Sequence, residues 1–142
     1  MQKNERWLHH STNIIVGVSG LIYFYMLYLI EPTENNEFSV LNHPHQNLIL
    51  NAHILAAPLL VFAVAYTAKS HILAKIKSHY KGPGRKSGLL LITLFIPMVM
   101  SAYIMQTTSN EGIKQVMVYI HNITSISWVL AYIIHQARMI RA

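Results

Sequence analysis

The sequence contains no cysteine. That absence removes disulfides, zinc–thiolate sites, cysteine-ligated iron–sulfur clusters and any haem attached through a C-x-x-C-H element. Charge is also scarce. Only 11% of the residues are charged and 53% are hydrophobic, with a mean hydropathy of +0.34, which is too apolar for an ordinary soluble domain of this length. The five acidic residues fall outside the apolar stretches, which excludes a buried carboxylate relay or a di-iron site. The net charge of +6 does not read as a nucleic-acid surface, because the cations sit at the ends of apolar segments and not along one soluble face.

Long hydrophobic runs are what the chain does have. A stretch of about 20 residues at a rise of about 1.5 Å each crosses a hydrocarbon core of about 30 Å. Four such stretches stand near 8–30, 47–69, 88–107 and 113–136. The first is too long for a signal-peptide core and lacks a small-x-small cleavage site before Glu31, so it counts as a helix. The expected fold is an all-α integral membrane four-helix bundle, a single domain over 1–142, without internal repeats.

Charge asymmetry gives the expected orientation. The loop EPTENNEFSVLNHPHQN carries Glu31, Glu34 and Glu37 but no lysine or arginine, whereas the next loop holds Lys69, Lys75, Lys77, Lys81, Arg85 and Lys86. The second loop is then cytoplasmic, and Lys3, Arg6, Arg138 and Arg141 put the N-terminus and C-terminus on the same side. Gly82-Pro83-Gly84 ends a basic, partly amphipathic extension of the second helix, SHILAKIKSHYK, at the inner surface. Pro58 and Pro97 fall inside the second and third helices, where membrane bundles tolerate them.

Nine histidines are the anomaly, since an imidazole in an apolar run is costly unless satisfied. His121 and His135 of the fourth helix are fourteen residues apart, which places them about 40° apart on one face and about 21 Å apart along the axis. That spacing suits two stacked haem sites, each needing axial nitrogens from two helices. Counted from the outer boundaries, His53 and His121 lie at matching depth. At the depth of His135, three residues compete: His9 and His10 of the first helix and His71 of the second. His71 follows His53 by eighteen residues, five α-helical turns, so the two share a face. Gly17 and Gly20 lie on nearly the same faces as His10 and His9, and a missing side chain admits a flat macrocycle. Trp128 and Tyr132 place aromatic rings between His121 and His135, an arrangement that packing explains equally well. Arg6, Lys69, Arg85 and Arg138 are partners for haem propionates or topology signals. His43, His45 and His79 read as surface residues.

These residues resemble the four-helix dihaem cytochrome b subunits of membrane formate dehydrogenases and nickel–iron hydrogenases, within the wider bacterial b561-like group. In that family an Arg-x-x-His element opens the first helix, the second carries one outer histidine and the fourth carries two about fourteen residues apart. Arg6-Trp7-Leu8-His9, His53 and His121/His135 match this pattern. The chain departs from it at His10, where the family has tryptophan, and in the position of the first-helix glycine. The resemblance implies two haem b groups, or at least one, in a bacterial inner membrane. It also implies a quinone-linked electron relay to an extramembrane redox protein or other subunits of a respiratory complex.

Two other readings use the same residues. A single membrane histidine often only bonds one helix to another, which suits a haem-free anchor of a redox complex. Met98, Met100, Met105 and Met117 join histidines in a soft-metal transporter, although they form no Met-x-x-x-Met ladder and methionine is commonly gap-filling.

Overall fold

The computed structural model describes residues 2–31, 41–79 and 81–140; Glu34, Glu37 and Arg141 lie outside them. Among the described residues every regular element is a helix. Helix α1 spans Lys3–Tyr28, α2 Gln46–Lys77, α3 Arg85–Thr107 and α4 Glu111–Ile140, and no strand occurs. All four helices are long and apolar enough to cross a membrane, which makes this a multi-pass membrane protein by length and composition.

All four helices outrun their apolar stretches at one end or both, α1 and α2 for local reasons. Helix α1 begins five residues before 8 because the Glu5 carboxylate accepts the Gln2 N–H at 2.7 Å, satisfying a donor that the helix start would leave open. Glu5 is buried and reaches Ser70 through a side-chain hydrogen bond; like Glu111 of α4, it stands in the first turn of its helix, outside the apolar stretch. Helix α2 continues through the basic extension to Lys77. Across Ala68–Leu73 it widens into π turns, whose i→i+5 bonds wind less per residue than an α-helix does. His71 lies in that segment, so the five-turn count placing it under His53 no longer holds. The break at Gly82-Pro83-Gly84 is present, with Gly84 at φ +82° before α3, in the left-handed region that favours glycine.

The described residues form two compact units, within Met1–Lys77 and Ser78–Ala142. In the first, α1 packs on α2 and the partners run antiparallel: Glu5 meets Ser70 while Ser19 meets His53. In the second, α3 packs on α4, with Ser87 opposite His135 and Met98 opposite His121. The short connection 108–110 between α3 and α4 favours this hairpin pairing.

Burial is inverted relative to a soluble protein. Thr12, Asn13, Thr67, Ser87 and Ser101 are buried, whereas Ile14, Leu55, Phe62, Ile96 and Ile123 are exposed. Lipid gives apolar side chains no reason to turn inward, so packed faces collect small and hydrogen-bonding residues. Leu60, Ala63, Val64 and Thr67 make one such face of α2. Thr67 donates to the Ala63 carbonyl at 2.9 Å, which satisfies its hydroxyl without a partner helix.

Candidate functional site

Each unit holds a histidine of its second helix against the backbone of its first. In the first unit, His53 Nδ1 lies 3.2 Å from the Val16 carbonyl oxygen and 3.1 Å from Ser19 Oγ. A carbonyl only accepts, so Nδ1 carries the proton and Nε2 keeps the lone pair. Ser19 donates its own hydroxyl proton to the Val16 carbonyl at 3.1 Å, leaving its oxygen free to accept from His53. The imidazole sits directly on α1: a Cβ at Gly20 would stand 2.9 Å from His53 Cε1. The space expected above Gly20 for a macrocycle is thus occupied by the imidazole of His53, while Gly17 is half-buried.

The second unit repeats this seat. His135 Nδ1 lies 3.0 Å from Ser87 Oγ and bonds the Gly84 backbone, while Ser87 donates to the Gly84 carbonyl at 3.1 Å. Gly88 follows the serine as Gly20 follows Ser19, and a Cβ there would stand 3.5 Å from His135 Cε1. His121 is held more simply, with Nδ1 3.0 Å from the Met98 carbonyl oxygen, to which Ser101 also donates at 3.0 Å. All three rings therefore share one tautomer, with Nε2 unprotonated.

His9 has the opposite arrangement. The Asn13 side-chain nitrogen lies 2.8 Å from His9 Nδ1 and 2.8 Å from the His9 carbonyl oxygen. Only an N–H₂ group suits that carbonyl, so Asn13 donates to Nδ1 and the His9 proton resides on Nε2. His10, one residue on and half-buried, lines an open cleft with Lys3, Arg6 and Trp7, which share one face of α1 at i, i+3, i+4 and i+7.

Of the remaining predicted residues, Trp128 is buried against Phe95, with ring centroids 5.4 Å apart, while Tyr132 is half-buried. Arg6, Lys69, Arg85 and Arg138 are exposed near helix ends, where they can meet water or anionic groups. His45 and His79 are exposed and His43 is half-buried. Met98 is buried, but Met100, two residues on, is 53% exposed, so these methionines do not share a face. Among the described residues no group of three histidine, aspartate or glutamate side chains could hold a metal ion.

Reading from the sequence missed Ser19, Ser87, Ser101, Gly88 and Asn13. A serine followed by glycine inside an apolar run, one helix before a histidine-bearing helix, is the signal that marks two of them. No family model, curated protein or solved structure matches this chain.

Proposed function

We propose that this protein is a b-type dihaem membrane cytochrome that relays electrons across the bilayer between a quinone pool and an extramembrane redox partner. The observation that carries the reading is the shared tautomer of His53, His121 and His135. A ligating histidine donates its second ring nitrogen to an oxygen and offers the other to the metal, and all three imidazoles are held in that form. Bis-imidazole ligation of haem asks two nitrogens per iron and no further protein donor, so a cluster of three metal-binding side chains is not needed.

Bound haem would supply reversible one-electron chemistry. In this reading His53, His121 and His135 are haem ligands. His10 is the ligand we assign on helix α1, because His9 has its proton on Nε2 and His71 lies in the π segment. Arg6 and Arg138, exposed at helix ends, are the cations available to carboxylates at that membrane face. Both termini and the basic loop lie on the cytoplasmic side in this reading, in a bacterial inner membrane.

The same histidine contacts would also serve a haem-free anchor as helix–helix bonds, and spectroscopy separates the two. A reduced-minus-oxidised spectrum with pyridine-haemochrome quantification is expected to give two haems per wild-type chain. His53→Ala, His121→Ala, His135→Ala and His10→Ala are each expected to lose one, and His71→Ala to retain both. Wild-type protein free of haem after expression with ample haem supply would overturn the proposal.

A further inference from the structure

We propose that the cleft at the start of α1 is a binding site for an anionic phospholipid, whose phosphate is held by Lys3 and Arg6 and whose acyl chains run along the exposed face of the same helix. The proposal does not rest on the haem reading, which then keeps Arg138 for a carboxylate.

The cleft is lined by Lys3, Arg6, Trp7 and His10. Lys3 and Arg6, about one turn apart, are exposed, and among the described residues neither is paired with a carboxylate. Glu5, the acid nearest to them in sequence, is buried and spends its oxygens on Gln2 and Ser70. A phosphodiester offers two unesterified oxygens to this pair, one match for the planar guanidinium fork of Arg6 and one for the point charge of Lys3. His10 stands two turns beyond Lys3, so its ring is not needed for the phosphate.

A pair of cations alone would suit any anion; three further features select a lipid. The first is level. Lys3 and Arg6 precede the apolar stretch that begins near residue 8 and His10 follows its start, which places the cleft at the edge of the hydrocarbon, where headgroups lie. The second is Trp7, 67% exposed beside the cations, an amphipathic ring of the kind that settles at the membrane–water boundary. The third is continuity. Ile14, Val18, Leu21 and Tyr25 continue the face of Lys3, Trp7 and His10 at steps of three and four residues, which align on an α-helix, and all four are exposed. The buried side of α1, with Glu5, Thr12 and Val16, is roughly opposite, so α2 does not cover this stripe. A free phosphate would use the cations and leave the stripe untouched, whereas a phospholipid uses both.

The test reads Trp7 fluorescence of the full chain in phosphatidylcholine nanodiscs that contain increasing fractions of brominated phosphatidylglycerol or, in parallel, brominated phosphatidylcholine. Bromine quenches an indole on contact. Trp128 is buried, and a Trp7→Phe variant supplies its background. Wild type is expected to be quenched at much lower fractions of the brominated anionic lipid than of the brominated neutral one. Each cation near the membrane surface contributes roughly fivefold to such binding. Lys3→Gln and Arg6→Gln should therefore each weaken the preference about fivefold and the double variant about 30-fold, with helicity unchanged, while Lys3→Arg keeps it. Lys69→Gln with Lys77→Gln removes the same charge from exposed positions of α2 and should leave the preference intact. Equal quenching of wild type by the two lipids overturns the proposal. So does a loss in the α2 double variant as large as that in the α1 double variant, which would mean diffuse attraction without a site. Relief of the quenching by inorganic phosphate, but not by chloride at the same ionic strength, would make the cleft a site for free phosphate and overturn the lipid assignment.

Discussion

Gly20→Ala and Gly17→Ala, one helical turn apart on α1, are expected to change stability in opposite directions. At Gly20 the new Cβ would lie 2.9 Å from His53 Cε1 and 3.3 Å from Nδ1, closer than carbon atoms tolerate. The ring must retreat by several tenths of an ångström. It cannot do so freely, because Nδ1 is bonded at 3.2 Å to Val16 and 3.1 Å to Ser19. Overpacking of this kind costs about 1–3 kcal/mol, and weakening the histidine bond adds about 0.5–1.5 kcal/mol. Alanine returns about 0.8–1.0 kcal/mol through its helix propensity. The net loss is then about 0.5–3.7 kcal/mol, a factor of roughly 2–500 in the unfolding equilibrium. At Gly17 the propensity gain acts without that ring contact, so a gain of up to about 1 kcal/mol is expected. Reversible unfolding in mixed detergent micelles, followed by helicity, measures both. If Gly20→Ala is as stable as wild type, or if the two variants shift together, the packing of His53 on α1 described above is wrong.

Other outcomes follow from the same structure. Gly84→Ala forces a left-handed conformation at φ +82°, costing about 1–2 kcal/mol, and should lower the midpoint in the same assay by more than Gly112→Ala does. Trp128→Ala empties a buried site against Phe95 and is expected to cost about 3–5 kcal/mol; an unaltered midpoint would show that the ring is not packed. Since the chain has no cysteine, single cysteines report topology without background. Ser78→Cys should react with an impermeant thiol reagent only from the cytoplasmic side and Ser109→Cys only from the opposite side, both positions being exposed, and reversed labelling would invert the assigned orientation. Asn13→Leu removes the donor on His9 Nδ1 and is expected to release the His9 proton from Nε2, read as a second tautomer in a ring-¹⁵N spectrum.

The four helices were legible in the sequence because the bilayer makes one demand, about 20 apolar residues, that composition answers directly. Their ends were less so. Glu5 and Lys77 are polar residues in helical turns beyond the apolar stretch, held by a hydrogen bond to Gln2 and by a basic extension, neither of which hydropathy registers. His53, His121 and His135 stood out because a lone polar ring in an apolar run is conspicuous. Their seats did not, because Ser19 and Ser87 are small, common in membrane helices and distant in sequence from the rings they hold. His71 illustrates a different failure: the α-helical count from His53 assumed 100° per residue, and the π turns at Ala68–Leu73 break that period. The proton position on His9 likewise depended on Asn13, whose two contacts at 2.8 Å are invisible without coordinates.

The placement of the histidine protons has a consequence for biogenesis. Each Nδ1–H of His53, His121 and His135 is satisfied by the helix that precedes it in the same hairpin. A hairpin entering the bilayer therefore already carries the partner for its buried Nδ1–H. Neither hairpin has to wait for the other before these ring donors are chemically tolerable in hydrocarbon.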